Sequence, residues 1–355
     1  MFQLMLRQAL RCATPSTRLI LNFYNSLWRP LLFLADMLGV RSRNPESSWL
    51  SRADVANLLK LAGWSVISMQ PKMLCPFKIP LIERIFNAVL APLLSHFCLT
   101  IFALARPAPV KQTGAAAPSV SVVVPARNEA GNIEAAVRRT PNMGAWTEII
   151  FVEGGSTDNT WAEIQRVAAA NPGLRIKTLQ QTERGKGNAV REGFAVAEGD
   201  ILMILDADLT VPPEELTKFY DAVASGHCEF ANGCRLVYPM ERQAMQFLNL
   251  IANKFFGIAF SWLLNQRLKD TLCGTKVLHR TDYLRIAANR DYFGNFDPFG
   301  DFDLLFGASR LNLKISDVPI RYRDRTYGST NIQRWKHGML LIKMVAFAAR
   351  KLKFV

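Results

Sequence analysis

The chain has 355 residues, half of them hydrophobic and a fifth charged, a balance that excludes a disordered protein. Its formal charge of +14 is uneven: residues 1–118 carry 13 Lys/Arg and 4 Asp/Glu, residues 119–320 carry 21 and 24, and residues 321–355 carry 9 and 1. Basic flanks around a slightly acidic middle suit an anionic membrane surface or a phosphorylated substrate. With no recognition helix, zinc finger or RNA-binding signature beside that charge, no nucleic-acid partner is expected.

In chain order, Arg7 and Arg11 break the apolar start, so no secretory signal is expected. The six cysteines (Cys12, Cys75, Cys98, Cys228, Cys234, Cys273) form no C-x-x-C pair and read as reduced thiols of a cytoplasmic protein. Ser51 caps a predicted helix over residues 51–63, where Val55, Leu58, Leu59 and Leu61 recur at helical spacing. A strand over 64–69, a loop over 75–80, a helix over 81–94 and a strand over 98–105 follow. Residues 87–105 hold no acidic or basic side chain and approach the shortest length that crosses a bilayer. Asn87, Pro92, Ser95 and His96 interrupt that stretch, so it is either a single span or a buried helix plus strand.

This first part resembles the C-terminal portion of a class I S-adenosylmethionine-dependent methyltransferase. The matching residues are Leu50-Ser-Arg-Ala-Asp54, Leu58-Leu-Lys-Leu-Ala-Gly63 and Ile79-Pro-Leu81. No glycine-rich cofactor loop occurs in residues 1–118, so methyl transfer is not expected. The segment reads as a truncated relic or a docking surface over residues 1–106, with a linker over 107–118.

Beyond the linker, strands over 120–124, 148–152, 175–179 and 201–205 alternate with helices over 132–139, 161–170 and 188–197. That order predicts an α/β fold with a mostly parallel sheet, whose ligands bind beyond the carboxyl ends of the strands. The polar motifs fall at those ends. They are Pro125-Ala-Arg-Asn-Glu129, Glu153-Gly-Gly-Ser-Thr-Asp158, Arg184-Gly-Lys-Gly-Asn188 and Asp206-Ala-Asp208. Taken singly, each of the first three also fits an ordinary capped or basic turn. The fourth differs, because an apolar run enters directly upon two carboxylates. Like charges so close need a cation or hydrogen-bond donors, and a hard divalent ion with oxygen ligands, Mg2+ or Mn2+, is the natural partner, although taken alone the pair also fits a helix N-cap before Pro212.

With these motifs in this order, residues 119–330 resemble the family 2 glycosyltransferases of GT-A fold, in the branch around dolichol-phosphate mannosyltransferase. The resemblance implies that Pro125, Arg127 and Glu129 line a nucleotide site. It puts Glu153 where the family has a base-binding Asp, Asp158 in the turn after it, and Lys186 near the nucleotide. Asp206 and Asp208 would bind the metal and the donor diphosphate. Leu272-Cys-Gly-Thr-Lys276 resembles a segment facing the sugar or acceptor, through Lys276. Phe299-Gly-Asp-Phe-Asp303 resembles one that supplies a catalytic carboxylate, Asp301 or Asp303, projecting to opposite sides of an extended chain. Arg321-Tyr-Arg-Asp-Arg325 with Gly328-Ser-Thr330 resembles a phosphate-gripping ending in which Arg325 and Ser329 contact the acceptor.

The implied reaction is inverting transfer from a nucleotide-sugar donor to a polyprenyl-phosphate or membrane-proximal glycan acceptor. A nucleotidyltransferase is disfavoured, because it needs a glycine-rich loop after the first strand. An inactive transferase-fold scaffold at the membrane remains a rival. Residues 245–264 are strongly apolar, and residues 331–355 read as a basic amphipathic helix, either lying at a membrane interface or facing the core.

Overall fold

The structure is a computed structural model that describes residues 2–40, 49–77, 79–109, 116–238, 247–292, 300–325, 327 and 334–354. The chain divides into two compact units, Met1–Val110 with Ala346–Val355, and Lys111–Val345.

The first unit contains α1 (Phe2–Arg11), β1 (Leu19–Tyr24), α2 (Arg29–Met37), α3 (Arg52–Leu61), β2 (Trp64–Lys72), the short turns α4 (Ile82–Arg84) and α5 (Ala91–Leu93), and β3 (Thr100–Pro107). Its three strands form an antiparallel sheet in the order β1-β3-β2. Ser51 starts α3 by a reciprocal capping box: its Oγ accepts from Asp54 N at 3.1 Å, and Asp54 Oδ2 accepts from Ser51 N at 2.9 Å. Apolar positions of α1 and α3 then meet the sheet, burying Leu6, Val55, Leu59, Trp64, Ala103 and Ala105. Trp64 keeps its indole N–H satisfied inside that core by donating to Leu6 O at 2.9 Å.

Residues 87–105 resolve the span-or-fold alternative. They make helical turns, one of them a π-helical stretch over Ile85–Leu90, and then enter β3. The turns are not buried as a soluble helix would be: Leu93 and Phe97 are both 60% exposed. No helix among the described residues is long and apolar enough to cross a membrane.

The second unit continues with β4 (Val120–Ala126), α6 (Ile133–Arg139), β5 (Thr147–Glu153), α7 (Thr160–Ala170), β6 (Arg175–Gln180), α8 (Lys186–Ala195), β7 (Ile201–Ile204), α9 (Leu216–Ala224) and β8 (Phe230–Cys234). It is followed by α10 (Phe247–Leu264), β9 (Lys276–His279), α11 (Arg280–Ala288), α12 (Asp301–Arg310) and β10 (Ile315–Pro319), and α13 (Arg334–Leu352) begins in this unit and ends among the residues grouped with the first. The sheet order is β10-β8-β9-β7-β4-β5-β6, parallel except for β9, which runs antiparallel between β7 and β8.

Both faces of this sheet are covered, which is why β4 is rich in valine on both of its sides, with Ser121 the polar residue within the run. Val120, Val122 and Val124 join Ile133, Ile164, Leu216 and Phe219 from α6, α7 and α9. Val123 points the other way, so close to Gly193 of α8 that a Cβ there would collide with it. Behind α8, Phe194 meets Tyr283 of α11 edge-on at 4.8 Å, and Phe260, Phe302 and Phe306 cluster between α10 and α12. The α/β, mostly parallel architecture expected from the sequence is present. α13 buries Leu341, Met344 and Ala348 while Met339 and Ile342 stay exposed.

Candidate active site

The polar motifs assemble at one edge, the carboxyl ends of β4, β5 and β7 and the turns beyond them. β4 ends at Ala126, and Asn128 adopts φ +56°, a left-handed conformation that Asn tolerates. Pro125 is half-buried in the strand and Arg127 is exposed on the loop. Asn128 ties this loop to the next, its Oδ1 accepting from Thr157 N at 2.8 Å and its N donating to Ser156 Oγ at 3.0 Å. Glu153 closes β5 buried, its Oε1 accepting from Ser156 N at 2.5 Å.

Asp158 is turned inward as a cap. It accepts from Thr160 N at 3.0 Å, from Thr160 Oγ1 and from Ala130 N at 3.4 Å. Burial opposes its ionisation, but those donors outweigh it and hold the carboxyl below the usual range. The structure thus gives Asp158 the task of joining two loops and starting α7.

The centre of the site is the end of β7, the middle strand of the seven. Lys186, the first residue of α8, places Nζ 2.6 Å from Asp206 Oδ1. Burial works against the Asp206 charge, yet Lys186, then Lys276 and Arg235, bring its carboxyl below the ordinary value. Leu209 follows at φ +51°, a strained conformation for a branched, buried residue. Past that turn, Asp208 Oδ1 accepts from Thr210 N at 3.1 Å and Thr210 Oγ1 at 2.8 Å. Its other oxygen meets Arg325.

Arg325 is the keystone of the far side. Nη2 lies 2.7 Å from Asp208 Oδ2 and Nη1 lies 2.9 Å from Glu129 Oε1, so one guanidinium spans the first and fourth motifs. Its segment is laid along the β7 turn by Arg323 N donating to Thr210 O at 2.9 Å. Glu129 also accepts from Asn132 Nδ2 at 2.7 Å. Burial pushes the Glu129 carboxyl up, Asp208 adds to this, and Arg325 and Asn132 oppose it.

The expectation for Lys276 is corrected. This first residue of β9 is fully buried, and its ammonium donates to Cys273 O instead of opening toward a substrate. It belongs to a layer beneath the site that motif reading missed. There Arg235 Nε meets Asp270 Oδ2 at 2.7 Å and Nη2 meets Oδ1 at 2.9 Å, with Tyr322 under the guanidinium at 5.2 Å. The available signal was a cation at a strand end, Arg235 directly after β8. Its partner Asp270 is 35 residues on and carries no local mark. Gly274 lies against the front of the site, and a Cβ there would collide with Asp206 Oδ2 and Lys186 Nζ.

Asp301 and Asp303 also differ from expectation, because helix α12 begins at Asp301 and the chain there is not extended. Asp303 is 6% exposed, and its Oδ2 lies 2.9 Å from Arg290 Nε and 3.2 Å from Arg191 Nη2. Two guanidinium groups on one oxygen make Asp303 an ion-pair partner joining α8, the turn after α11 and α12. The Asp301 side chain and Ser329 lie outside the described residues.

Among the described residues no three His, Cys, Asp or Glu side chains gather into a metal cage. The donor set at β7 is two carboxylates. That suits Mg2+ or Mn2+, which keep open positions for water and phosphate oxygens. A cavity of about 530 Å3 lies elsewhere, around Trp146, Thr147 and Arg175 at the opposite ends of the strands.

The family model for Glycosyl transferase family 2 matches residues 121–291, the stretch that carries all four strand-end motifs. This stretch is therefore similar to family 2 glycosyltransferases, and it lies on an α/β fold with a mostly parallel sheet. Among proteins of similar sequence, a dolichol-phosphate mannosyltransferase of Pyrococcus furiosus is 37% identical over 121 residues, covering 33% of each chain. An undecaprenyl-phosphate 4-deoxy-4-formamido-L-arabinose transferase of Edwardsiella ictaluri is 39% identical over 113 residues, 30% of this chain and 34% of its own. The chain thus spans about a third of the length of these two relatives. A solved structure of Mycobacterium tuberculosis glucosyl-3-phosphoglycerate synthase, in complex with Mn2+, UDP and its product, aligns with a TM-score of 0.46 at 20% identity. That alignment covers 66% of this chain and 80% of the other.

Proposed function

We propose that the chain transfers a sugar, with inversion, from a nucleotide-sugar donor to a polyprenyl phosphate, and that the reaction requires a divalent cation. The observation that carries this is the pair Asp206 and Asp208 at the end of the central strand, each within ion-pair distance of a cation, Lys186 and Arg325. A diphosphate needs both kinds of group on one side. Asp206 and Asp208 would hold Mg2+ or Mn2+, and the metal when bound supplies Lewis-acid stabilisation of the departing diphosphate. Lys186 and Arg325 would bind diphosphate oxygens, their charges already held in place by carboxylates, so little reorganisation is needed as negative charge develops. Glu129 orients Arg325. Arg127, Pro125 and Glu153 would frame the nucleoside.

In the transfer itself, an acceptor oxygen forms a bond to the anomeric carbon while the bond from that carbon to the diphosphate oxygen breaks. A phosphate acceptor arrives ionised, so no strong base is required, which agrees with Asp303 being committed to two arginines. For an acceptor hydroxyl, Asp301 is the remaining candidate base. The names of the two relatives, both transferases to or of a polyprenyl phosphate, favour the phosphate acceptor over a glycan hydroxyl. In this reading residues 1–106 contribute no methyl-transfer chemistry, and the protein works at a membrane surface where such lipids reside.

The test is release of nucleoside diphosphate from a panel of nucleotide sugars, with and without polyprenyl phosphate and Mn2+. Release should require both additions and should vanish in a folded Asp208→Asn variant. Undiminished turnover in excess chelator would remove the metal-dependent reading.

A further inference from the structure

More than half of the exposed large apolar side chains in the described residues lie in two stretches of the N-terminal unit, residues 27–40 and 73–97. The topology brings both to one end of its sheet. β1 ends at Tyr24 and β2 at Lys72, and both of these residues pair with Thr100, where β3 begins. Hydrogen bonds hold the stretches together there. Asn25 Nδ2 donates to His96 O and Cys98 O, both at 2.9 Å, Trp28 Nε1 donates to Phe97 O at 2.8 Å, and Leu99 N donates to Met73 O at 2.7 Å. The core under α1 and α3 takes up none of these apolar side chains.

α2 shows the character of the surface. None of its nine residues is buried. Leu31, Phe33, Leu34 and Met37 are 59, 60, 50 and 69% exposed, and at 3.6 residues per turn they share one face of the helix, an arc of about 160°. A helix lying in a bilayer interface buries one such apolar face at the boundary of headgroups and acyl chains. Leu81 and Phe77 extend the same apolar surface at 72 and 63% exposure. The charge is complementary to an anionic bilayer: this unit carries 15 Lys/Arg against 4 Asp/Glu, a net +11. Arg29 opens α2, Lys72 precedes the second stretch and Arg84 lies within it, each with a stem long enough to reach headgroups.

We propose that this end of the three-stranded sheet is a seat in the interface of an anionic bilayer, with α2 and residues 73–77 and 79–97 inserted among the acyl chains. The seat is shallow, since nine residues of helix span roughly 14 Å, under half of the ~30 Å hydrocarbon core. It deepens the polyprenyl-phosphate reading by giving the enzyme a fixed hold on the phase that contains such an acceptor, but it stands on its own observations.

The test is co-sedimentation of the full chain with phosphatidylcholine vesicles, with and without phosphatidylglycerol, for the wild type and a Leu31→Glu/Phe33→Glu variant. Both positions are exposed, so the variant should keep its circular dichroism and its turnover on a water-soluble phosphate acceptor. The wild type should pellet with the anionic vesicles, and the variant should lose about a hundredfold in partitioning, roughly tenfold per apolar anchor removed. A wild type that stays in solution, or a variant that partitions equally well, overturns the proposal. So does a wild-type dimer that the double substitution splits and vesicles do not compete away, because the surface is then a protein interface. Absent turnover with intact vesicle binding would count against the transferase reading alone.

Discussion

Arg325 does what no other side chain at the site does: its planar fork reaches Asp208 and Glu129 at once. An ammonium on a flexible stem has no such geometry, so Arg325→Lys is not conservative. Losing one charge-assisted hydrogen bond is worth about 1.5–3 kcal/mol, so kcat/KM for the donor should fall roughly tenfold to a hundredfold, with thermal stability little changed. Beneath it, Asp270→Asn strands the buried Arg235 charge and should cost about 3–5 kcal/mol in denaturant titrations. Asp270 and Asp206 both have folded carboxyls below the ordinary range, as Arg235 and Lys186 overcome burial. Their stabilisation is present above about pH 4, the ordinary Asp value, and is lost as pH falls through the depressed folded values. The acid limb of the stability profile should therefore be shallower in Asp270→Asn. Glu129 has the opposite sign: its folded carboxyl is raised, so its contribution is full at low pH and is lost as pH rises through the raised value.

At the scale of elements, the site depends on close approach of backbone. The turn before β9 passes Asp206 and Lys186 with room only for hydrogen at Gly274, and Gly300 enters α12 at φ +73° directly against Gly187 of α8. Gly274→Ala should push the Lys186 ammonium off Asp206 and abolish donor binding by calorimetry, while the sheet keeps its circular dichroism. Retained affinity in that variant would show that the Lys186–Asp206 contact is not needed for the donor. The amino end of α8 is held from two directions, by Lys186 at the site and by the Arg191–Asp303 pair behind it. Element identity was largely legible, because β4, β5 and β7 are predominantly apolar runs, interrupted only by Ser121 in β4 and by Thr147, Glu148 and Glu153 at the ends of β5, and the helices between them have periodic apolar faces. The turn at residues 272–276 was legible as a site segment through its resemblance, but that Gly274 is the residue against Asp206 and Lys186 was not, since this depends on β9 inserting antiparallel between β7 and β8.

At the scale of the molecule, two units each have a core of their own. The N-terminal core is small, centred on Leu6, Val55, Leu59 and Trp64. Leu59 is fully buried, so Leu59→Ala should cost that unit about 2–5 kcal/mol. A calorimetric scan should show one transition moving down, and donor affinity, a property of the other unit, should keep its starting value. The division was visible in the sequence as a change of charge and a proline- and alanine-rich join. That the last ten residues group with the N-terminal unit was not, since nothing local in residues 346–355 names a distant partner.

The amino-acid sequence by itself determined the alternation of strand and helix, the order of the polar strand ends and the dominance of Asp206 and Asp208, because each is a local pattern of apolar runs broken by charge. Tertiary structure alone decided which charges meet. Arg325 finds Glu129 across 196 positions, Asp303 finds Arg191 across 112, and Lys276 turns into the interior. Ion pairing acts over a few ångströms of space and is blind to separation along the chain. A carboxylate that looks like a base in one dimension is therefore a clamp or a cap once the sheet has closed around it.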